Sequence, residues 1–340
     1  MKAIVIPRYG TADVLRVRSL PDPEPRAGQV RIAVQAAGLN FSEVSARQGL
    51  YPDAPKPPSV VGYEVSGTID ALGPGVSGLA RGDRVWAICQ FGGHAELVCT
   101  RASLVRKMPP SLDFVRAAAI PVAYATALLL TSSFGHVRER DRILIHMAAG
   151  GVGLAAIDLC RRVPGVTIFG TASATKHEFL RSRGVDHPID YRSTDFEKEV
   201  QRLTDGRGVH LVLDPMGGRN WRKNYRLLAP LGRLMVFGLA NATRAGTRSF
   251  ALAIGQIVQA PRWSPMKLMN DNRAVMGLNL GHLIDDHELI ASGLDTIAGL
   301  LSSGAIDPVV DQVFPFSRAA EAHRRIESRA NVGKVILVPG

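Results

Sequence analysis

Residues 141–158, DRILIHMAAGGVGLAAID, constrain the fold more than any other part of the chain. Apolar residues typical of a strand lead into Ala-Ala-Gly-Gly-Val-Gly and then into small apolar residues typical of a helix. Glycines at such a turn let the backbone approach a pyrophosphate closely, and the free N–H groups at the start of the helix attract that anion. A tight strand–helix junction without a ligand is the alternative interpretation.

The turn matches the G-x-G-x-x-G pattern of dinucleotide sites only in part. Ala148 takes the first glycine position, and Gly150 and Gly153 take the other two. The surroundings give the pattern its weight, since strand-like and helix-like segments alternate from about residue 141 onward. Such alternation predicts a parallel sheet with helices on both faces.

The two ends of the chain have a different character. Residues 1 to about 115 are rich in short strand-like segments separated by turn sequences such as PDPEPRAG and GPGVSG. The C-terminal residues, from AIDPVVDQVFPF to GKVILVPG, return to β-like sequence. We therefore predict a β-rich domain over 1–120, an α/β dinucleotide-binding domain over 121–282, and a return to the first domain over 283–340.

The composition of the chain bears on its binding partners and on its cellular compartment. The net charge is +11, but the 41 Lys and Arg residues are scattered, which favours an anionic cofactor over nucleic acid. Three cysteines, Cys89, Cys99 and Cys160, cannot form a disulfide framework, and the N-terminus lacks the features of a signal peptide. No apolar run reaches the roughly 18 residues of a membrane span. We predict a cytoplasmic protein that does not bind nucleic acid.

The end of the next predicted strand, in VTIFGTASATKHEF, indicates which dinucleotide fits. Sites for NAD commonly place a carboxylate there to bind the ribose 2′-hydroxyl, whereas this segment has Gly170, Thr171, Ala172 and Ser173, followed by Lys176. A hydroxyl and an ammonium suit the 2′-phosphate of NADPH, which a carboxylate would repel. Ser173 as a helix N-cap and Lys176 as a solvated side chain are compatible with the same sequence.

Longer segments resemble a known family. The chain is similar to the zinc-free quinone oxidoreductase branch of the medium-chain dehydrogenase/reductases, and within it to the vesicle amine transport protein group. The resemblance implies an α/β fold with a GroES-like β-rich catalytic domain plus a doubly wound Rossmann domain, and it implies a homodimer. It covers nearly the whole length, through MKAIVI, AAGLNFSEVSARQGLYP, GPGVSGLARGDRVWA, GGHAELV, AAGGVG, IDYRSTDF, VLDPMGG and NVGKVILVPG.

The resemblance also implies roles for particular residues in binding NADPH. The glycine turn would hold the pyrophosphate, the ends of the next strands would hold the 2′-phosphate, and later strands would border the nicotinamide. For Tyr191, an aromatic packed after a short strand is the alternative. The implied cofactor-binding residues are Asn40, Ala148, Gly150, Gly151, Val152, Gly153, Thr171, Ser173, Lys176, Tyr191, Phe237, Gly238, Leu239, Leu278 and Lys334.

Two positions bear on whether the protein holds a metal. Relatives that oxidise alcohols carry a catalytic zinc on a Cys and a His, and this chain has Asn40 and Tyr63 at the matching positions. The stretch from Cys89 to Cys99 contains further residue types that bind zinc, including His94, but its Cys-x4-His-x4-Cys spacing matches no structural zinc pattern. We predict that the protein binds no metal.

Without zinc, a hydride acceptor must already be activated, as quinones and α,β-unsaturated carbonyls are. The enzyme then aligns the acceptor with the nicotinamide and donates hydrogen bonds to the acceptor oxygen. Candidate catalytic donors are Tyr51, Tyr63 and the Asn40 amide, although the two tyrosines suit a packed pocket wall equally well. Related reductases often have another Tyr where Ser45 stands, so water is the alternative proton source. The isolated histidines are predicted to be structural: His136, His146 and His177.

A second function stays open, that of a catalytically weak, lipid-interacting protein that binds NADPH. Residues 244–269 contain an apolar stretch with basic flanks and Trp263 near its end, a pattern that suits an anionic membrane surface. A substrate lid or a dimer contact explains the same pattern. The apolar and basic residues concerned are Phe250, Leu252, Ile254, Ile257, Val258, Arg244, Arg248, Arg262 and Lys267.

Overall fold

The computed structural model describes residues 1–243 and 250–340. Within them the chain forms two compact units: unit 1 comprises 1–125 and 281–340, and unit 2 comprises 126–243 and 250–280. The boundaries predicted from the sequence lie at residues 120 and 282. Arg244 and Arg248, predicted to flank a membrane-binding stretch, lie outside the described residues, as does the side chain of Phe250.

The first part of unit 1 consists mainly of strands. Its elements are β1 (Lys2–Val5), β2 (Arg16–Ser19), β3 (Gln29–Leu39), α1 (Phe41–Gln48), β4 (Glu64–Leu72), β5 (Arg84–Ile88), β6 (Leu97–Arg101), β7 (Val105–Lys107), α2 (Phe114–Ala117) and α3 (Pro121–Leu128), of which α3 runs into unit 2.

In unit 2, strands alternate with helices. Its elements are β8 (Arg142–Ile145), α4 (Gly151–Cys160), β9 (Thr167–Ala172), α5 (His177–Ser182), β10 (His187–Asp190), α6 (Phe196–Leu203), β11 (Val209–Asp214), α7 (Arg219–Arg226), β12 (Leu228–Val236), α8 (Phe250–Val258), α9 (Pro265–Asp271) and β13 (Ala274–Gly277). The chain then returns to unit 1 with α10 (His287–Ser302), β14 (Val310–Pro315), α11 (Ala319–Glu327) and β15 (Lys334–Val338).

The main sheet of unit 1 joins strands from both ends of the chain. Its order is β14-β15-β3-β4-β5-β7, with β6 also paired to β3, and β1 and β2 form a separate pair. Alternate residues of β3, namely Val30, Ile32 and Val34, are buried in the apolar core of the unit, as expected for a strand with one face inward. Because β15 pairs with β3, the end of the chain lies beside residues 37–39.

The sheet of unit 2 is doubly wound. Its order is β10-β9-β8-β11-β12-β13, and each pairing is parallel. The order of the strands reverses between β8 and β11, and in open α/β sheets ligands bind beyond the strand ends at such a point. The predicted parallel sheet is therefore confirmed. Its central strands are apolar on both faces, as a sheet covered on both sides requires, because consecutive residues of β8 (Ile143, Leu144 and Ile145) and of β11 (Leu211, Val212 and Leu213) are buried.

The stretch NWRKNYRLLAP is divided between a helix and a strand. Helix α7 ends at Arg226, and β12 begins at Leu228. Leu227 and Leu228 are both buried in the core of unit 2, and Leu228 lies opposite Val209 in the register of β12 with β11. Pairing with the sheet therefore overrides local helix preference at these residues.

The expectation that no apolar run reaches the length of a membrane span is wrong for one helical run, Phe114–Ser133, whose 20 residues are long and apolar enough by length and composition. This run combines α2 and α3 with a π-helical turn, Leu129–Ser133. In its most apolar window, 72% is buried inside the protein. The run is therefore packed as a core helix.

Candidate active site

The glycine turn lies between β8 and α4, as the sequence predicts. Gly150 is the N-cap of α4, and the first helical hydrogen bond runs from the Leu154 N–H to the Gly150 carbonyl at 2.9 Å. The N–H groups of residues 151–153, which include Gly151 and Val152, therefore lack helical partners and are available to an anion. A Cβ atom on Gly150 would meet only the Met147 carbonyl oxygen, at 3.2 Å, so the turn is open beside that residue.

Two other positions hold the turn against the sheet. A Cβ atom on Gly153 would lie 2.6 Å from the carbonyl oxygens of both Met147 and Ala148, which shows how closely α4 packs on the turn. The Ala148 N–H donates to the Thr171 carbonyl at 3.1 Å and so ties the turn to β9. Gly153 thus serves packing, whereas Gly150 keeps the surface of the turn free.

The three residues predicted to hold a 2′-phosphate come to one edge of the unit 2 sheet. Ser173 follows β9 directly, and the Lys176 N–H donates to its carbonyl at 2.9 Å in a single 3-10 turn. Asp190, the last residue of β10, lies opposite Ala172 in the parallel register. Tyr191 therefore lies beside Ser173, and its side chain is 40% exposed. This exposure is compatible both with a half-buried aromatic packed after a short strand and with a cofactor contact.

The residues predicted to border a nicotinamide follow β12 and β13 at the same edge. The Phe237 N–H donates to the Asp214 carbonyl at 3.1 Å, and the Leu278 N–H donates to the Val236 carbonyl at 2.9 Å. Gly238 packs against the loop after β11, because a Cβ atom there would lie 2.8 Å from the Pro215 carbonyl oxygen. The next residue, Leu239, is exposed.

In unit 1, the side chain of Asn40 is held by a buried ion pair. The Asn40 amide donates to a Glu64 carboxylate oxygen at 2.9 Å and accepts from the Lys334 ammonium at 2.7 Å. Lys334 also donates to Glu64 and, at 3.1 Å, to the Leu39 carbonyl. With three acceptors around its three N–H bonds, Lys334 orients Asn40, whose side chain also bonds to the Glu43 carboxyl.

Glu43 is a buried residue of this region that the sequence analysis missed. Its carboxylate accepts from the Asn40 N–H and, at 3.1 Å, from the Tyr63 N–H, so it joins the start of α1 to the segment before β4. Burial raises the pKa of Glu43 to about 8. The spacing Asn40-x-x-Glu43 is that of a capping box, which is the signal that could have found it.

Among the residues described, the buried Tyr63 hydroxyl makes no hydrogen bond of regular geometry. Its ring lies edge-on to Tyr51, with centroids 6.4 Å apart, and is tilted against Phe91 at 5.1 Å. Burial raises the pKa of Tyr63 well above the usual phenol value, so the hydroxyl keeps its proton and acts as a donor. A buried donor without an acceptor lowers the stability of the protein, and a ligand that accepts its hydrogen bond would remove this cost.

His94, which lies between Cys89 and Cys99 in the sequence, has a backbone contact at one ring nitrogen. His94 is fully buried with its Nε2 atom 3.4 Å from the Gly38 carbonyl oxygen, and burial lowers its pKa to about 4. Burial raises the pKa of the Cys89 thiol, which disfavours the thiolate that a metal requires. Among the residues described, no three His, Cys, Asp or Glu side chains are grouped so as to hold a metal ion.

Comparisons with known proteins give the family. The alcohol dehydrogenase GroES-like domain family matches residues 26–110, and the zinc-binding dehydrogenase family matches residues 183–337. The synaptic vesicle membrane protein VAT-1 homolog of Rattus norvegicus is 39% identical over 348 residues, which cover 100% of this chain and 84% of that protein.

Two solved structures are similar along the whole chain. A mycobacterial protein, Rv1454c, solved as a complex with NADPH, is 31% identical with a TM-score of 0.88, and the match covers 100% of both chains. The Escherichia coli quinone oxidoreductase, also solved with NADPH, is 27% identical with a TM-score of 0.86 and the same coverage. These matches confirm the predicted fold class, a GroES-like domain with a Rossmann domain. The chain therefore belongs to the medium-chain dehydrogenase/reductase family of oxidoreductases, in the group of the VAT-1 homologues.

Proposed function

We propose that the protein is an NADPH-dependent, zinc-independent reductase that transfers hydride to a quinone or an α,β-unsaturated carbonyl. The observation that carries the proposal is the edge of the unit 2 sheet, where an open glycine turn and the group Ser173, Lys176 and Tyr191 lie without a carboxylate at the end of β9. Two proteins of the same fold are NADPH complexes, which supports this cofactor.

The residues present fit NADPH. The free N–H groups at the start of α4 would hold the pyrophosphate, which approaches most closely at Gly150, where no side chain intervenes. The Ser173 hydroxyl and the Lys176 ammonium would hold the 2′-phosphate, and the exposed Tyr191 ring would lie beside the adenosine. When bound, NADPH supplies a hydride from its nicotinamide ring.

The side chains of unit 1 supply donors to the acceptor. The Tyr63 hydroxyl would donate to the oxygen that gains charge as hydride arrives, and the Asn40 side chain, oriented by Lys334, would lie near the cofactor ribose. Asn40 and Tyr63 stand where zinc-dependent relatives carry a Cys and a His, and an amide and a phenol are poor zinc ligands. The acceptor must therefore be one that conjugation has already activated.

We test the proposal by following NADPH oxidation with 9,10-phenanthrenequinone and with a small enone. Wild-type protein is expected to oxidise NADPH with at least one of them, and Tyr63→Phe is expected to lower kcat by on the order of a hundredfold with an unchanged KM for NADPH. Tyr225→Phe is the matched control, because the Tyr225 hydroxyl bonds to Asp271 within unit 2. Equal kcat values for the two variants would contradict the role of Tyr63, and no turnover with either acceptor would contradict the reductase.

We also propose a cytoplasmic homodimer. Cys89, Cys99 and Cys160 are free in the structure, and burial raises the pKa of Cys160 to about 12, so these thiols suit a reducing compartment. The homodimer rests on the family resemblance.

A second candidate function, contact with an anionic membrane surface, is favoured by the exposed apolar side chains of α8 and α9. Ile257 and Val258 are 66% and 77% exposed near the end of α8, and the exposed cations Arg262 and Lys267 follow them. Trp263 is not part of this surface, because its ring packs against Tyr225 at 5.3 Å. Exposed apolar residues beside cations are typical of helices that lie on anionic lipid.

Flotation with phosphatidylserine vesicles tests this contact. The double variant Ile257→Asn, Val258→Asn is expected to lose most of any binding, because each side chain contributes apolar area that the bilayer would bury. Leu231→Asn is the matched control, since Leu231 is 70% exposed elsewhere on unit 2. Absence of flotation for the wild type, or equal flotation of both variants, would exclude the membrane role of α8.

A further inference from the structure

A chain of four buried polar side chains crosses the edge of the unit 2 sheet where the strand order reverses. Thr171 lies near the end of β9, His146 follows β8, Asp214 ends β11, and Asn224 lies on α7. All four are at most 4% exposed. The chain therefore joins both sides of the point between β8 and β11 at which ligands bind in such sheets.

The contacts fix the direction of each hydrogen bond. Asp214 accepts at one oxygen from the N–H groups of Met216 and Gly217, at 2.5 and 3.3 Å, and at the other from the Asn224 amide nitrogen at 2.6 Å. The amide oxygen of Asn224 must then accept, at 2.8 Å, from the Nε2–H of His146.

The bond between His146 and Thr171 lies at the other end of this series of side chains. With a proton on Nε2 only, the His146 ring would accept at Nδ1 from the Thr171 hydroxyl, which lies 3.0 Å away. The donors thus run in one direction, from Thr171 through His146 and Asn224 to Asp214. Each buried polar atom of the His146 ring has a partner, which is the condition under which such networks make a structure rigid.

Each end of this series of hydrogen-bonded side chains is bonded to a loop. At one end, the Thr171 carbonyl accepts from Ala148 in the glycine turn, and His146 is the residue from which that turn begins. At the other end, Asp214 holds the N–H groups of the loop that follows β11. The turn starts at Met147, whose φ of 52° is in the left-handed region, so its backbone conformation needs support from its surroundings.

We infer that His146, with Asn224, is a positioning residue for the dinucleotide: it fixes the distance between the glycine turn and the 214–217 loop, so that one cofactor can contact both. The inference rests on the proposed function, because it concerns the site of NADPH. His146 itself need not touch the cofactor. Loss of His146 would lower the affinity for NADPH and for NADH alike, because Ser173 and Lys176, the residues proposed to hold the 2′-phosphate, are not part of this hydrogen-bonded series.

The test compares His146→Leu, which keeps a similar volume without hydrogen bonds, with His146→Gln, which keeps a donor and an acceptor. We expect His146→Leu to weaken NADPH binding about tenfold or more with an unchanged NADPH:NADH ratio, and His146→Gln to recover most of the affinity. His210→Leu is the matched control, because His210 also bonds across the sheet, accepting from the Arg142 N–H at 2.9 Å, but at the opposite strand ends. Thr171→Val breaks the same chain with little change of shape and replaces His146→Leu if that variant does not fold.

Hydrogen exchange without any cofactor gives a second readout. His146→Leu, or Thr171→Val in its place, is expected to speed amide exchange both in 147–150 and in 216–218, whereas His210→Leu should not. Unchanged exchange in either loop, or an equal loss of affinity in the His146 and His210 variants, would overturn the inference. If the wild type binds neither NADPH nor NADH, the proposed function fails, while the exchange experiment still decides whether His146 positions the two loops.

Discussion

Replacing Lys176 by Glu is expected to raise the KM for NADPH about a hundredfold and to leave the KM for NADH nearly unchanged. One pair of unit charges about 4 Å apart is worth about 4 kcal/mol at an effective dielectric constant of about 20. Lys176 is only partly buried, so water and salt reduce that figure. Reversal of its charge then costs roughly 3 kcal/mol against the 2′-phosphate, which corresponds to about a hundredfold.

The measurement is a titration of both nucleotides with wild type and variant at two salt concentrations. Lys198→Glu is the matched control, since Lys198 is an exposed lysine on α6 of the same unit and the charge change is identical. Discrimination between NADPH and NADH that is the same in Lys176→Glu as in the control would refute the assignment of the 2′-phosphate. A difference that shrinks at higher salt is expected for a partly exposed charge.

Gly150→Val is expected to abolish NADPH binding while the protein stays folded. Gly150 has an extended backbone, with φ of −82° and ψ of 171°, which valine adopts readily. Its Cβ atom would meet only the Met147 carbonyl oxygen, but the methyl groups would occupy the space in which the pyrophosphate approaches the N–H groups of α4. We expect a loss of affinity of more than about a hundredfold, because the pyrophosphate can no longer reach the N–H groups at the end of α4. We expect the fall in Tm to be smaller than that of Gly153→Ala, since valine is only a poorer N-cap than glycine.

The neighbouring glycine of the same turn provides the contrast. Gly153→Ala is expected to lower Tm, because its Cβ atom would lie 2.6 Å from two backbone carbonyl oxygens that cannot move without shifting α4. Gly299→Ala, in the last turn of α10 with nothing within 4 Å of the added atom, should instead raise the free energy of unfolding by up to about 1 kcal/mol. A Gly150→Val protein that unfolds like Gly153→Ala, or that still binds NADPH tightly, would contradict the division of roles between the two glycines.

The edge of the unit 2 sheet was predictable because its signals are local. The run from Ile143 to Ile145 and the glycines after it define a strand, a turn and a helix within 20 residues. The parallel register of β9 and β10 then places Ser173 and Tyr191 side by side, because each residue directly follows its strand. The roles of these residues toward a cofactor stay predictions.

The buried networks were not predictable from such patterns. Lys334 and Asn40 are 294 positions apart, and only the pairing of β15 with β3 brings them together. His146 and Asn224 likewise meet through the order of the strands, which no periodicity encodes. Sequence reasoning called His146 structural and placed Lys334 near the cofactor, whereas the geometry shows what each side chain holds: His146 an amide on α7, and Lys334 the side chain of Asn40.

The pairing of β15 with β3 has a consequence for the time course of synthesis. Residues 334–338 leave the ribosome after all of unit 2 has been made, yet they form an interior strand of the unit 1 sheet and carry the cation that neutralises Glu64. Until they emerge, residues 37–39 of β3 lack their partner strand β15, and the Glu64 carboxylate lacks the Lys334 ammonium. Unit 2 can therefore fold during translation, whereas the sheet of unit 1 is complete only when residues 334–338 have been made.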